Sequence, residues 1–530
     1  MFLLAFFMAP AAVSAQALPP SYILLEPAKQ EIVLEPGGET VRYLTLLNQT
    51  NELRHFRVEI EDFTASDNPA EVIKLLGTEP GVYSLKNYLA VAQNFQSFTL
   101  APGQKVVISV YLKLPKTISP GGRYGSVLFA SEPAEGADKV SLSSRLGALF
   151  FVRIKGRVPT AGALKEFGLA DHNFHLLFEN KGDIYLNPYG YIAVFDLFGR
   201  EVLFQELEPW FVLPHSLRLY RVPLEHQLWP GYYRAVLKLN RGYEDIIDEQ
   251  EITFWVGWPW LLALAVIILL AVFFSAKIKK MRHSATTLTL VLLIAVWPLL
   301  TARAYVASST NYRLEFDSIN VAGTTSNSTS YRVSDTLGEV ATGGSASTNY
   351  QIKAGYQQMA VSYVALSTSA SSVTLSPSIE RTGRANGSAT LTVLSGVGYS
   401  LSVKASTQPA MRISNPSQET IELTDFTDYA GAPDFTWSVA NTASAFGFSP
   451  EGNDITSTYK NDGSTCGTGS LTDAHCWDGF STTHQTIASA STGPKNTTIT
   501  LNLRAEVGSA AGQFVSSSYA ATLTPTLVPL

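Results

Sequence analysis

Arg57, Glu59 and Glu61 alternate with Phe56, Val58 and Ile60, the period-two pattern of a strand with one face in a core and the other in water. The same alternation runs through Lys105 to Leu114. From Ile23 onward the chain breaks into short strand-like pieces bounded by Pro and Gly: Glu31 to Leu34 before Pro36-Gly37-Gly38, Thr40 to Leu47 before Asn48, and His55 to Ile60. Pro120 to Gly125 predicts a turn ahead of an apolar strand Ser126 to Ala130, and Leu146 to Ile154 reads as a strand buried on both faces. A second set of landmarks begins near Leu164, with Leu176 to Phe178 before Glu179-Asn180-Lys181-Gly182-Asp183, Tyr191 to Leu197 before Gly199-Arg200, and Pro230-Gly231 ahead of Arg234 to Leu239. Past Tyr363, alternation returns in Ser372 to Leu375, Ala389 to Leu394, Tyr399 to Val403, Thr498 to Leu503 and Tyr519 to Leu527, with no long amphipathic helix. These patterns predict an all-β chain, with tandem Ig-like β-sandwiches over 18–160 and 164–251 and a C-terminal β-sandwich over 362–530.

Three apolar runs interrupt this pattern. Phe2 to Val13 closes on Ser14-Ala15-Gln16-Ala17, the form of a signal peptide over 1–17 with cleavage after Ala17. Ile252 to Ala276 contains no charge and predicts a transmembrane helix over 255–276, with Trp255, Trp258 and Trp260 at one end. Lys277, Lys279, Lys280 and Arg282 follow at once and read as a basic cytoplasmic loop over 277–283. Leu288 to Leu300, ahead of Ala302-Arg303-Ala304, makes 284–304 a second transmembrane or signal-peptide-like segment. Cleavage after Ala304 would release the C-terminal half; without it, 284–302 would form a short return span. The expected localisation is the cell membrane, single- or double-pass, with extracellular β domains.

Composition narrows the chemistry. Of 530 residues 46% are hydrophobic and only 15% charged, and the formal charge of −6 is spread without a long basic run, which argues against a nucleic-acid partner. Over 305–361 the chain turns Ser/Thr-rich and repeats every 19 residues: Thr310-Asn311-Tyr312, Thr329-Ser330-Tyr331, Thr348-Asn349-Tyr350. Cys466 and Cys476, the two cysteines, predict one disulfide in an oxidising compartment. A zinc site adding His475 and His484 would match no common finger or ribbon spacing. His172 and His175 fall on opposite faces of a strand and cannot share a metal. Glu59 and Glu61, beside Asp62, are expected on a solvated face. Asp425, Asp428 and Asp434 offer oxygen ligands without EF-hand spacing and read as turn chemistry. No constellation supports an enzyme, and no cofactor is expected.

Ile32-Val33-Leu34-Glu35-Pro36-Gly37, Leu46-Leu47-Asn48, Gly121-Gly122-Arg123-Tyr124-Gly125 and Glu179-Asn180-Lys181-Gly182, on two Ig-like units ahead of an apolar anchor, make residues 22–283 resemble bacterial WxL-interacting cell-surface proteins. Periplasmic pilus chaperones open similarly. Phe435-Thr436-Trp437-Ser438-Val439 and the terminal Tyr519 to Pro529 resemble degenerate WxL motifs, with Val439 in place of the motif Leu and Pro525 in place of the motif Trp. The resemblance implies peptidoglycan or a surface glycan, WxL-like surface proteins and the lipid bilayer as partners. Arg123, Tyr124, Tyr429 and Trp437 are the candidate ligand-binding residues, core packing being the competing fate of each. The expected function is a non-enzymatic, membrane-anchored surface protein for adhesion or scaffolding. The alternative is a chaperone-like exported β protein that assists subunit assembly by strand complementation.

Overall fold

The computed structural model describes residues 21–132, 139–224, 228–257, four short strands between 325 and 354, and residues 362–379, 382–413, 423–426, 433–511 and 519–530. Apart from single turns of 3-10 helix, the regular elements described are all β-strands.

The two ends of the chain build one body. The expected sandwiches over 18–160 and 362–530 share both of their sheets. In the first, Ile23–Glu26 pairs with Glu39–Asn48 on one side and with Val364–Thr368 on the other, in the register Ile23↔Leu366, Leu24↔Ala365 and Leu25↔Val364. This short strand joins two groups of strands into a nine-stranded sheet. Its alternate residues Ile23 and Leu25 are buried alongside Val364 and Leu366, so the join is held by packing as well as by the backbone ladder.

The second sheet is organised around Arg145–Ile154, in which every residue except Arg153 is buried. Gly121–Ser131 pairs antiparallel along one edge. The opposite edge is divided between two parallel partners: the terminal strand Tyr519–Pro529, in the register Arg145↔Thr526 and Leu146↔Leu527, and Lys29–Leu34, from Leu149↔Lys29 to Ile154↔Leu34. The terminal strand also runs parallel to Val140–Leu142. A strand covered on both faces and paired on both edges needs a nearly continuous apolar run. The segment after Arg145 supplies one.

One expectation changes here. The glycines of 121–125 do not form a turn, because they already lie in strand Gly121–Ser131. A Cβ on Gly122 would strike the Tyr124 ring, and one on Gly125 would press on Leu85, so close packing accounts for these glycines.

The middle sandwich packs a three-stranded sheet (Gly162–Ala170, Asn173–Asn180, Ser216–Pro223) on a four-stranded one (Glu201–Leu207, Tyr189–Asp196, Gly231–Asn240, Ile247–Val256). Its last strand runs five residues past the expected boundary, and this corrects the transmembrane reading: Ile252 to Val256 belong to a ten-residue strand paired with Gly231–Asn240. Among the described residues no helix is long and apolar enough to cross a membrane, so the single- or double-pass membrane localisation is not supported. The remaining parts of that expectation lie outside the described residues: residues 258–276, the basic loop with Lys277, Lys279, Lys280 and Arg282, segment 284–304, segment 1–17 and the cleavage positions Ala17 and Ala304.

In the repeat region two hairpins are described, Thr325–Asn327 with Arg332–Ser334 and Gly343–Ala346 with Gln351–Ala354. Their second strands start at the residues directly after Tyr331 and Tyr350, so the sequence period corresponds to one hairpin per repeat.

Candidate functional site: a buried charge cluster at the seam

Arg145 heads the central strand and is fully buried where the terminal strand arrives. Its guanidinium serves four acceptors. Nη1 donates to Glu59 Oε2 at 2.7 Å and to Glu61 Oε1 at 2.6 Å, Nη2 to His484 Nε2 at 2.6 Å, and Nε to Thr526 Oγ1 at 3.1 Å. The carboxylates come from the N-terminal half, the imidazole and hydroxyl from the C-terminal half.

Glu59 and Glu61 share one face of strand Arg54–Ala65, as alternation requires, but the face is not solvated: Glu61 is buried and Glu59 half-buried. The C-terminal half covers it, which local periodicity cannot report. Burial pushes the Glu59 carboxyl up, yet Arg145 and Arg57 together hold it below its ordinary value. Glu61 also accepts the Gly77 N–H through Oε2 at 3.2 Å. Asp62 points to the other face and accepts the backbone N–H groups of Gly81, Leu85 and Lys86, fixing the loop that follows Leu75.

An arginine can only donate, so Nε2 of His484 presents its lone pair to Arg145 and the proton resides on Nδ1. Nδ1 lies 3.1 Å from Ser402 Oγ, to which it donates. Burial, reinforced by the charges of Arg145 and Lys404, lowers the His484 pKa to about 2. Burial and Arg145 also lower Lys404, against the pull of Glu61 and Glu59. The Ser402–His484 pair superficially suggests a nucleophile and its base. With Nδ1 already protonated and Nε2 occupied by Arg145, His484 has no free lone pair for the serine proton, and the arrangement suits docking better than proton transfer. Beside the cluster is a cavity of about 180 Å³ lined by residues of both halves, among them Glu71, Lys74, Ser402, His484 and Thr486. Burial raises the Glu71 carboxyl, which accepts from Asn68 and Thr458.

The residues singled out from sequence fall elsewhere. Tyr124 is buried in a strand, not exposed on a loop. It packs against Phe63 and Phe151, and its hydroxyl accepts the Tyr185 N–H at 2.8 Å, tying the first sandwich to the middle one. Burial raises its pKa far above that of a free phenol. Arg123 folds back on the chain and donates to the Gly122 carbonyl at 2.7 Å. Trp437 is buried, stacked on Phe426, edge-on to Trp477, and donates through Nε1 to Glu506 at 2.6 Å. Neither Tyr124 nor Trp437 presents an open face to a glycan. Tyr429 and Asp428 lie outside the described residues. Asp434 accepts the Thr436 N–H, a local turn contact, whereas Asp425 accepts the N–H of Ala410, 15 positions earlier in the chain. Cys466 and Cys476 form a disulfide. His475 pairs with Asp473, and among the described residues no group of His, Cys, Asp and Glu is placed to hold a metal.

Sequence reasoning passes over Arg145, weighs His484 only as a zinc ligand and meets Thr526 only inside the terminal motif, and nothing local brings together residues separated by up to 381 positions. The available signal was an arginine at the head of a strand buried on both faces. It also passed over Arg218, a buried guanidinium 4.4 Å from the Phe211 ring centroid, whose pKa burial lowers to about 9.

No family model matches the chain, and no curated protein matches significantly. Solved structures similar to part of it include the class 5 fimbriae chaperone CfaA (12% identity, TM-score 0.24, 44% of this chain and 98% of that one). The YadV chaperone gives 8% identity, TM-score 0.24, and 44% and 99% coverage. The E. coli chaperone DraB gives 16% identity, TM-score 0.21, and 44% and 98% coverage. At these scores the likeness carries no functional argument.

Proposed function

We propose that residues 21–257 act as a chaperone-like holder for the β domain of residues 362–530, docking it by strand addition. The observation that carries this reading is the divided edge of Arg145–Ile154. Strand Lys29–Leu34 covers its far portion and leaves Arg145 and Leu146 to the terminal strand of the other half. An unfilled strand edge carries unpaired N–H and C=O groups and invites another strand. Main-chain pairing supplies affinity, while alternate side chains and the Arg145 cluster supply register.

The test places a protease site within 355–361 of the full chain and cuts it. The expected result is that the two fragments migrate together through gel filtration, and that residues 362–530 expressed alone aggregate. Separation of the fragments after cleavage, under conditions in which both stay soluble, overturns the proposal.

A further inference from the structure

We propose that protonation of His484 unlocks the seam between the two halves, so that docking is strong at neutral pH and is released in mild acid. This rests on the docking reading above and adds its regulation. The geometry supplies the argument. Arg145 Nη2 and His484 Nε2 are 2.6 Å apart, and both side chains are buried. Every hydrogen on the guanidinium is permanent, so only an imidazole with an unprotonated Nε2 can occupy this position. An imidazolium would direct an N–H at an N–H and set two positive charges in contact inside the protein.

Charged groups reach His484 from each element around it. Arg145 comes from the central strand and Lys404 from Tyr399–Ala405, and both oppose a second cation. From Arg54–Ala65 come Glu59 and Glu61. Glu61 Oε2 is 3.9 Å from Nε2 and would favour protonation, but both carboxylates are bound to Arg145, and turning Glu61 to the imidazole would weaken that ion pair. Asp67, Glu71 and Lys74 line the neighbouring cavity. Glu71 works in the opposite sense. Its carboxyl is raised in the docked chain, so its protonation strengthens docking as pH falls.

The sign follows from linkage. In separated halves His484 regains an ordinary value of 6.5. Docking that requires the neutral ring is at full strength above that pH and weakens as pH falls. The loss is about 4-fold at pH 6 and about 30-fold at pH 5.

Native-state hydrogen exchange on the full chain tests this. The N–H groups of Ala28, Leu142 and Ser143 donate across the seam to carbonyls of Ser362, Ser371 and Leu523, while Val212 donates to Leu186 within the middle sandwich. After correction for intrinsic exchange, protection at the three seam amides should fall about 30-fold between pH 7.5 and 5, with Val212 unchanged. His484→Gln, whose side-chain carbonyl can accept from Arg145 and cannot be protonated, should hold flat or rise. Flat seam protection in the unmodified chain, or an equal fall in His484→Gln, overturns the latch. Should that variant fail to dock, nitrogen-15 shifts of the imidazole in the unmodified chain decide. The expected result is a neutral ring with its proton on Nδ1 for as long as the seam stays protected, and a charged ring in the docked state at pH 5 overturns the inference. Absence of seam protection at pH 7.5 would refute the docking reading itself.

Discussion

Arg145 donates from Nη2 to Nε2 of His484, 2.6 Å away and 339 positions further along the chain. The same guanidinium holds Glu59 and Glu61. One buried cation thus satisfies acceptors from two halves that the sequence places at opposite ends, and the seam depends on it.

Arg145→Met would leave Glu61 buried without its counter-charge, a change that costs about 3–5 kcal/mol. Urea unfolding followed at the seam amides should show that loss. The double variant Arg145→Met/Glu61→Leu removes the orphaned charge as well and should recover much of it. Arg145→Lys should fall between, since an ammonium cannot span four acceptors arranged around a planar fork. Stability equal to that of the unmodified chain in all three variants would mean that the cluster contributes nothing to docking.

Tyr124 joins the first sandwich to the middle one through its hydroxyl. Tyr124→Phe leaves the Tyr185 N–H without its acceptor at a cost of about 1–3 kcal/mol. Gly122→Ala should cost at least as much, because the new Cβ would meet the buried phenol. Thermal unfolding of the two variants checks this. If Tyr124 served instead as an exposed ligand contact, both would leave stability unchanged.

How much of this was legible differs from one element to the next. Alternation in Phe56 to Glu61 located a strand and put Glu59 and Glu61 on one face, but which face meets water is decided by what docks there, and that partner begins more than 300 residues later. The run Leu146 to Ile154 disclosed a strand buried on both sides. Arg145 lies one place before that run, and its charge sets it apart from the apolar pattern although it belongs to the same strand. Gly121-Gly122 signals a turn by sequence alone because glycine serves both turns and close packing, and only the position of the Tyr124 ring distinguishes the two. The apolar stretch starting at Ile252 carries no mark of where a strand ends, so the expected sandwich stops at 251 and the expected helix over 255–276 takes in Trp255 and Val256 of the strand. His484, flanked by Thr and Gln, had no local signal.

Trp437 tests glycan contact against core packing. Its ring is enclosed by Phe426 and Trp477, and its N–H is held by Glu506, which Arg384 also engages. Trp437→Ala should destabilise the C-terminal half by about 3–5 kcal/mol. Reduction of the Cys466–Cys476 disulfide, which spans 10 positions, should cost the same half about 3 kcal/mol. Calorimetry with and without reductant measures both effects, and each should leave unfolding of the middle sandwich in place. A Trp437→Ala chain of unchanged stability would restore the residue as a binding candidate.

Glu59 adds a second, more acidic limb to the pH profile. Burial raises its carboxyl, but Arg145 and Arg57 outweigh burial and the net direction is downward from 4.5. A carboxyl lowered by folding contributes stability that is complete above its unfolded value and is lost as pH falls below it. The Glu59 contribution is therefore intact at pH 5, where the His484 effect is already large, and disappears only below about pH 4.5. Because Glu59 is partly exposed, its pair with Arg145 should contribute roughly 0.5–1 kcal/mol. Glu59→Gln should lower the urea midpoint slightly at pH 7, flatten the profile below pH 4.5, and leave the fall between pH 6.5 and 5 as steep as in the unmodified chain. A Glu59→Gln profile that loses the upper limb would assign the acid response to the carboxylates and remove His484 from it.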